Sequence, residues 1–375
     1  MLVIAGAFGG ASLFGCLTLC VILLLVASIP NPVALGLATA AAVIPAAVYS
    51  SLVLLLDRFE SEPWYTLLGA FLWGAIVAVV FSVILNLFFG GVVLVAYGEE
   101  AANVFSLVVG APVFEETAKG AALLVLLLAF RHELDNMLDG IIYGALVGLG
   151  FAMTENILYF GSFILEDGLA GLIIGFFIRA GVGGLAHAIF TACTGAGIGW
   201  ARSQYGQGNW RFLAPLGGLA LAMLLHAAWN GSAVIADALN VGVGGALLML
   251  AFLFFGLIVP PFLAILVIAY RSWRRQLEIL RTQLADEVRA GTLTPDEYVT
   301  LTNPGARRRA HWNALVSHGV RGWARLHRFA RLTSQLAFQK HHAAHGEPEP
   351  SGFRNRSDDE LRAAISAARA DLLAA

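Results

Sequence analysis

Apolar runs as long as a bilayer is thick follow one another through the first 270 positions of this chain, and no other feature narrows its possible folds so far. Short polar or turn-rich strings interrupt them at Asn31-Pro32 and at 57–63, 98–103, 132–135, 166–168, 203–210 and 237–242. Taking roughly 20 residues per crossing, about eight spans are expected, near 3–28, 33–56, 65–97, 104–130, 137–164, 170–200, 212–236 and 243–270. Lipid supplies no partner for a backbone N–H or C=O, so each crossing has to satisfy its own by forming a helix. The third and sixth runs exceed one crossing, which points to tilt or an interfacial portion. The predicted class is an all-α polytopic membrane protein, with about eight transmembrane helices and a mostly helical cytoplasmic C-terminal tail. The chain is 58% hydrophobic and 13% charged, with a mean hydropathy of +0.77, which excludes an ordinary soluble globule.

Charge divides the chain once. Only six of the 23 Lys/Arg precede Arg271: Arg58, Lys119, Arg131, Arg179, Arg202 and Arg211. The boundary near Tyr270-Arg271 separates a membrane domain, 1–270, from a polar tail, 271–375. Arg58, Arg131, Arg202 and Arg211 fall in alternate connections, whereas the other connections hold only acids such as Glu99, Glu100, Glu166, Asp167 and Asp237. The positive-inside rule makes the first set cytoplasmic, and eight spans then leave both termini cytoplasmic. The N-terminal apolar run has no basic stretch before it and is too long for a signal peptide, so a retained helix is expected. Cys16, Cys20 and Cys193 lie in apolar runs without a CxxC pair, so neither a disulfide framework nor a thiolate metal site is expected.

Against this apolar background, Glu115 and Glu116 stand in the middle of the fourth run, one turn before Lys119. A carboxylate at bilayer depth costs roughly 2.5–3.5 kcal/mol, and intramembrane ionisable groups are functional-site candidates by default. The companions are few. Of nine histidines only His187 and His226 fall in spans; Glu155-Asn156 lies in the fifth span and Arg179 in the sixth. Asn230 follows His226 by four residues on the same helical face, as Lys119 follows Glu115. Four consecutive spans thus carry polar groups that lipid cannot solvate, and these are expected to converge inside the bundle. Each alone has a structural reading: a histidine or Asn230 as interhelical glue, Lys119 snorkelling, Glu155 capping a wet cavity or holding Arg179. Together they make a kit for peptide hydrolysis. Glu115 activates water shared with His187, Glu116 stays paired with Lys119, and His226 and Asn230 donate to a developing oxyanion. The small-residue rows Gly140/Gly144/Gly148 and Gly195/Gly199 favour close helix packing around this set.

These residues also resemble a family. The strings Asp57-Arg58-Phe59-Glu60-Ser61-Glu62-Pro63-Trp64, Ala111-Pro112-Val113-Phe114-Glu115-Glu116-Thr117-Ala118-Lys119, Asp139-Gly140-Ile141-Ile142-Tyr143-Gly144 and Gly148-Leu149-Gly150-Phe151-Ala152-Met153-Thr154-Glu155-Asn156, followed by His187 and His226-Ala227-Ala228-Trp229-Asn230, are similar to those of the PrsW intramembrane proteases. That family belongs to a superfamily with the type II CAAX prenyl endopeptidases and bacteriocin-immunity proteins. The resemblance covers about residues 45–235. It implies an endopeptidase of the bacterial cytoplasmic (inner) membrane that cuts a membrane-protein substrate. In the family's namesake that substrate is a membrane-bound anti-sigma factor. Two departures stand out: the cation is Lys119 rather than an arginine four or five residues after the glutamates, and Gly183 replaces the phenylalanine of a superfamily Phe-x-x-x-His pattern.

A metal is an open alternative. PrsW-like proteins have been described as metalloproteases, and His187, His226 and Glu155 could form a zinc site of the His2Glu type. No His-Glu-x-x-His string is present, and Lys119 beside a dication is unfavourable, so a cofactor-free glutamate mechanism is preferred. A proton-coupled transporter or a binding scaffold would also place Glu and His in the bilayer, but no repeat relates the two halves as transporters commonly show.

In the tail, Leu277, Leu280, Leu284 and Val288 predict a helix over 272–290, and Gly291 to Glu297 reads as a helix stop followed by a capped start. The basic and aromatic stretch 307–340 is expected to lie on anionic lipid; nucleic acid is a lesser candidate. A polar linker near 346–357, a last helix over 358–373 and an adventitious metal site at His341, His342 and His345 complete the expectation.

Overall fold

A computed structural model describes residues 2–57, 59, 62–130, 133–204, 208–344 and 356–374, with the side chains of 2–9, 11 and 243 left aside. Arg58, Glu60, Ser61, Arg131, His132, His345 and the linker up to 355 lie outside the described residues. The described secondary structure is helical throughout. The chain divides into two compact units, one of 1–56 with 62–268, the other of 57–61 with 269–375.

In the first unit the helices follow the apolar runs. They are α1 (Leu2–Ser28), α2 (Pro32–Leu54), α3 (Trp64–Tyr97), α4 (Ala111–Ala129), α5 (Met137–Phe176), α6 (Ala186–Ser203), α7 (Leu213–Ala238) and α8 (Val243–Leu253). Asn31 caps α2 by accepting from the Val33 and Ala34 amides, with Pro32 in the first turn. The expected break over 98–103 narrows to Gly98 (φ 87°), because Glu99–Phe105 is already helical and runs through a widened turn at Ser106–Gly110 into α4. Two boundaries lie inside one long helical stretch. α5 reverses at Gly168 (φ 65°, ψ −145°) within the expected 166–168 break, and the run read as one sixth span is interrupted at Gly183–Leu185 before α6.

Among the described residues, five helical stretches are long and apolar enough to cross a membrane: Pro32–Leu54, Trp64–Tyr97, Met137–Ser203, Asn209–Ala238 and Gly244–Arg289. The expected eight is a finer division than this. It cuts Met137–Ser203 once, at Gly168, and adds α1 and α4, the latter carrying three charged residues within 19. The chain is a multi-pass, all-α membrane protein.

α5 is the central helix. From Leu138 to Ala152 every side chain is buried. Its glycine row packs antiparallel against α6: a Cβ at Gly140 would fall on the Gly195 carbonyl, one at Gly144 on Thr191, and one at Gly148 on the His187 carbonyl. On its other side, Cβ atoms at Gly74 and Gly150 would collide with Val147 and Phe71, so α3 approaches as closely. Small-residue rows permit this approach where no hydrophobic drive between helices exists. The N-terminus of α5 is fixed by a reciprocal cap. Asn136 accepts from the Leu138 and Asp139 amides, and buried Asp139 accepts from the Asn136 amide.

The second unit has its own core of Leu280, Leu284, Leu293, Leu301, Phe329, Leu332, Leu336, Leu361 and Ile365 around Phe59. The helix Val259–Arg289 contains the unit boundary. Gly291 (φ 76°) ends it, and a capping box between Thr294 and Glu297 starts Pro295–Thr302. Pro304–Ala344 and Asp358–Leu373 complete the unit. Buried Glu287 ties them together, receiving Lys340 at 2.8 Å and Arg362 at 3.0 Å.

Candidate active site

The polar groups on α4 sit one turn past the widened turn at Ser106–Gly110. Such a turn leaves carbonyls without a regular helical partner, and asparagines from other helices take two of them. Asn86 donates to the Ser106 carbonyl at 3.3 Å and Asn230 to that of Leu107 at 3.0 Å. A similar turn in α3, Trp73–Ala78, exposes the Ala75 carbonyl to Thr154 at 2.8 Å, and Trp73 donates its ring N–H to the Ala118 carbonyl at 3.0 Å. α4 is therefore held in register with α3 and α7 next to its charges.

Lys119 lies at the centre of the cluster with no exposed surface. An ammonium has three N–H donors, and three acceptors surround it: Glu116 Oε1 at 2.8 Å, His187 Nδ1 at 3.0 Å and Glu115 Oε2 at 3.2 Å. The Phe151 ring lies under the same nitrogen, 3.8 Å to its centroid, and adds a cation–π contact. Glu116 is fully enclosed. Its Oε1 also faces His226 Nδ1 at 3.0 Å, and its Oε2 accepts from the Thr191 hydroxyl at 3.1 Å. Glu115 lies on a different azimuth, lines a cavity of about 320 Å³ with Ser82, Asn86, Phe151, Glu155 and Tyr159, and keeps 8% exposure.

The histidine tautomers follow from their partners. His187 Nε2 is 2.9 Å from Glu155 Oε2; a carboxylate only accepts, so this nitrogen carries the hydrogen and Nδ1 receives the Lys119 N–H. His226 Nδ1, facing Glu116, is a donor by the same argument, and its Nε2 is 3.9 Å from Glu115. The two imidazoles are 5.0 Å apart, edge to face. Glu155 is in turn held by Arg179 at 2.7 Å, whose Nε donates to Asn156 at 2.7 Å while its guanidinium stacks 3.7 Å from the Tyr159 ring centroid. A second cavity, about 350 Å³, opens onto Glu155, Arg179, His187, Trp229 and Asn230.

The structure thus gathers Glu115, Glu116, Lys119, Glu155, His187 and His226 into one continuous network, with Asn156 at its edge on Arg179. Asn230 is on the wall of the second cavity, one of its two amide hydrogens donated to the Leu107 carbonyl. Both glutamates, not Glu116 alone, contact Lys119. Thr191 and Phe151 are members that the sequence reading omitted. Each had a signal, since Thr191 follows His187 by four residues and Phe151 precedes Glu155 by four, on the faces already singled out. Gly183 has a steric reason as well: a Cβ there would lie 3.0 Å from the Trp229 ring.

Crossing helices that enclose a carboxylate–lysine–histidine cluster beside a cavity define a class, the polytopic membrane proteins with a buried polar centre. Residues 62–259, more than half of the chain, match the family described as PrsW family intramembrane metalloprotease, and the chain belongs to that family. A protease PrsW of Geobacillus kaustophilus (strain HTA426) is 34% identical over 163 residues, 43% of this chain and 65% of that protein. The protease PrsW of Bacillus subtilis (strain 168) is 29% identical over 195 residues, 51% of this chain and 79% of that protein. That of Clostridioides difficile (strain 630) is 30% identical over 177 residues, 46% and 69% of the respective chains. The match spans just under two thirds of the Geobacillus protein. No solved structure matches the chain.

The family description names a metal, and donor chemistry tests the fit. Donor atoms of Glu115, Glu116, His187 and His226 all lie within 4.8 Å of one another, compact enough and of the right types for a zinc-like ion. Glu155, expected as a ligand, stands behind His187 Nε2, where a carboxylate orients a metal-binding imidazole. Three carboxylates against Lys119 and Arg179 leave one negative charge that a cation would balance. The residues therefore fit a metal, but three of the four donors contact the Lys119 ammonium, which holds the central position.

Proposed function

We propose that this chain is an intramembrane endopeptidase that hydrolyses a peptide bond of a membrane-protein substrate, with Glu115 as the base that activates water. The observation that carries the reading is the division of labour within the glutamate pair. Glu116 is enclosed and saturated by Lys119, His226 and Thr191, whereas Glu115 faces a cavity that can admit water and substrate.

In this mechanism Glu115 takes a proton from water as the water oxygen attacks the scissile carbonyl carbon. The carbonyl π electrons move to oxygen, and the oxyanion is met by Asn230, through the amide N–H that Leu107 does not take, and by His226 when its Nε2 also carries a proton, since its Nδ1–H stays on Glu116. Lys119 keeps a positive charge 3.2 Å from Glu115 throughout. Collapse of the intermediate breaks the C–N bond, and the proton held on Glu115 passes to the leaving nitrogen. His187, fixed by Glu155 and Arg179, assists by holding Lys119 in place beside Glu115. A single-span membrane protein such as a membrane-bound anti-sigma factor fits a site within the bilayer. Residues 1–270 form the protease domain in this reading and 271–375 an appended cytoplasmic tail. The distribution of Arg58, Arg131, Arg202 and Arg211 supports both termini on the cytoplasmic side of a bacterial inner membrane.

A zinc-dependent version has one specific observation in its favour, the convergence of four donors within 4.8 Å. There His187 and His226 with Glu115 or Glu116 would hold the ion, which would supply Lewis acidity to water and carbonyl. The cofactor-free reading is favoured because the Lys119 ammonium and a dication would repel at contact distance. Purified protein assayed with a strong chelator and then with zinc separates the two. Unchanged cleavage is expected; loss with recovery on zinc would establish the metal reading. His187→Ala is expected to abolish cutting under either reading. If this variant cut a reconstituted substrate like the wild type while losing pH-driven solute uptake, the protein would be a transporter.

A further inference from the structure

The segment Pro304–Ala344 lies outside the family match, and its sequence is one-sided: eight Lys/Arg, no Asp or Glu. It is not one helix. Gly319 adopts φ 63° and ψ −161°, which only glycine takes without strain. A straight helix would hold His311 and His327 about 24 Å apart, yet their rings are 6.2 Å apart. Trp323 stacks on His327 at 4.9 Å and 9°, and meets His311 at 6.4 Å. The two arms, 304–318 and 320–344, therefore double back as a helical hairpin with Gly319 at its tip.

Beside exposed Ser317 and His318, the tip carries uncovered apolar side chains. Trp312, Val316 and Val320 are 64%, 68% and 73% exposed, with Leu315 beside them. Trp312, Leu315 and Val316 share one face by their spacing. Arg308 and Arg309 stand one turn before Trp312, Arg321 adjoins Val320 and Arg325 is one turn further on; all four are exposed, and among the described residues no carboxylate pairs with any of them. Arg328, farther back, is paired with Asp371 at 3.1 Å. The second unit has its own buried core elsewhere, so its fold does not need these apolar side chains.

We propose that the Gly319 hairpin is a membrane-surface anchor, its apolar tip inserted among acyl chains and its four free arginines on anionic headgroups. Two features select lipid over the other occupants. The unpaired charge is of one sign and flanks the apolar side chains on both arms, within reach of snorkelling. Leu315, Val316 and Val320 offer nothing to a phosphate–sugar backbone, whereas acyl chains match them. A chain that crosses the bilayer also keeps such a surface within reach of its tail. The inference does not depend on the protease reading, only on the membrane placement.

The test uses the full-length chain with Cys16, Cys20 and Cys193 replaced by serine, and a nitroxide attached at Val316→Cys or, separately, at Val320→Cys. Both sites are exposed, so the fold is not challenged. In vesicles of phosphatidylcholine with phosphatidylglycerol, the label is expected to be shielded from an aqueous relaxation agent and open to oxygen. In phosphatidylcholine alone it stays in water. Raising salt to about 1 M, where the Debye length is about 3 Å, releases it, and each Arg→Gln at 308, 309, 321 or 325 lowers the inserted-to-free ratio about fivefold. A label equally exposed, or equally shielded, in both lipids overturns the proposal. So does shielding that grows with protein density, which marks a second copy. Stronger shielding by a single-stranded oligonucleotide than by anionic lipid also overturns it.

Discussion

At the scale of residues, Lys119 is the resident cation that organises the site. Its three N–H groups meet three acceptors, so the side chain both offsets one of the two charges of the glutamate pair and fixes His187. Lys119→Met leaves two buried carboxylates and an imidazole without their donor, and removing one partner of a buried ionic set costs about 3–5 kcal/mol. The expected outcome is a large loss of folded protein in a detergent thermal-denaturation assay, not only a loss of turnover. Arg179 acts at one remove, through Glu155 to His187 Nε2. Supporting partners of this kind are worth about 10–100-fold in activity, so Arg179→Gln and Glu155→Gln are each expected to slow cleavage by that factor at saturating substrate. Because they act on one imidazole, the double variant is expected to be no slower than the worse single one; fully additive losses would contradict a shared route through His187.

At the scale of elements, the site depends on how closely backbones approach. His187 leads its helix into the site directly opposite Gly148, whose missing Cβ leaves room for the His187 carbonyl. Gly148→Ala is expected to displace that backbone, costing about 1–3 kcal/mol of stability and lowering cleavage although the residue touches no substrate. Wild-type turnover in the variant would show that α5 and α6 tolerate separation there. The helices themselves were legible in the sequence, since apolar length, Asn31-Pro32, Gly98, Gly168 and the Thr294–Glu297 box act locally and need no tertiary information. The interruption at Gly183–Leu185 falls among Gly181, Gly183 and Gly184, which in an apolar run read equally well as close-packing residues. What fixes it is Tyr49, three helices away in sequence, donating to the Ala180 carbonyl at 2.6 Å. The site divides in the same way. Glu115, Glu116, Lys119 and the two histidines announce themselves by their cost in lipid. Thr191 and Phe151 carry no such cost, and the commitment of Asn230 to Leu107 depends on a widened turn that no residue pattern at 106–110 reveals.

At the scale of the whole molecule, two units with different physics share one chain. The tail unit is stabilised by polar ties as well as by its core. Hydrogen bonds from Arg362, reinforced by Lys340, hold the Glu287 carboxyl at about 2, well below its ordinary 4.5. A depressed folded-state value means a contribution that is complete above about 4.5 and is lost as pH falls through about 2. Proteolytic protection of the tail is therefore expected to persist through mildly acidic pH and to weaken only below about 4.5; in Glu287→Gln this acid dependence is reduced. Loss of protection already near neutrality would contradict the role of Glu287. The membrane unit carries the chemistry, and its account rests on Glu115 being the base rather than a structural carboxylate. The most direct measurement is cleavage of a single-span membrane substrate by wild type and by Glu115→Gln, co-reconstituted in lipid vesicles and matched for folded protein. The amide keeps the shape and removes only the basic oxygen, so turnover is expected to fall by at least about 10²–10⁴-fold. Cleavage at the wild-type rate would contradict it.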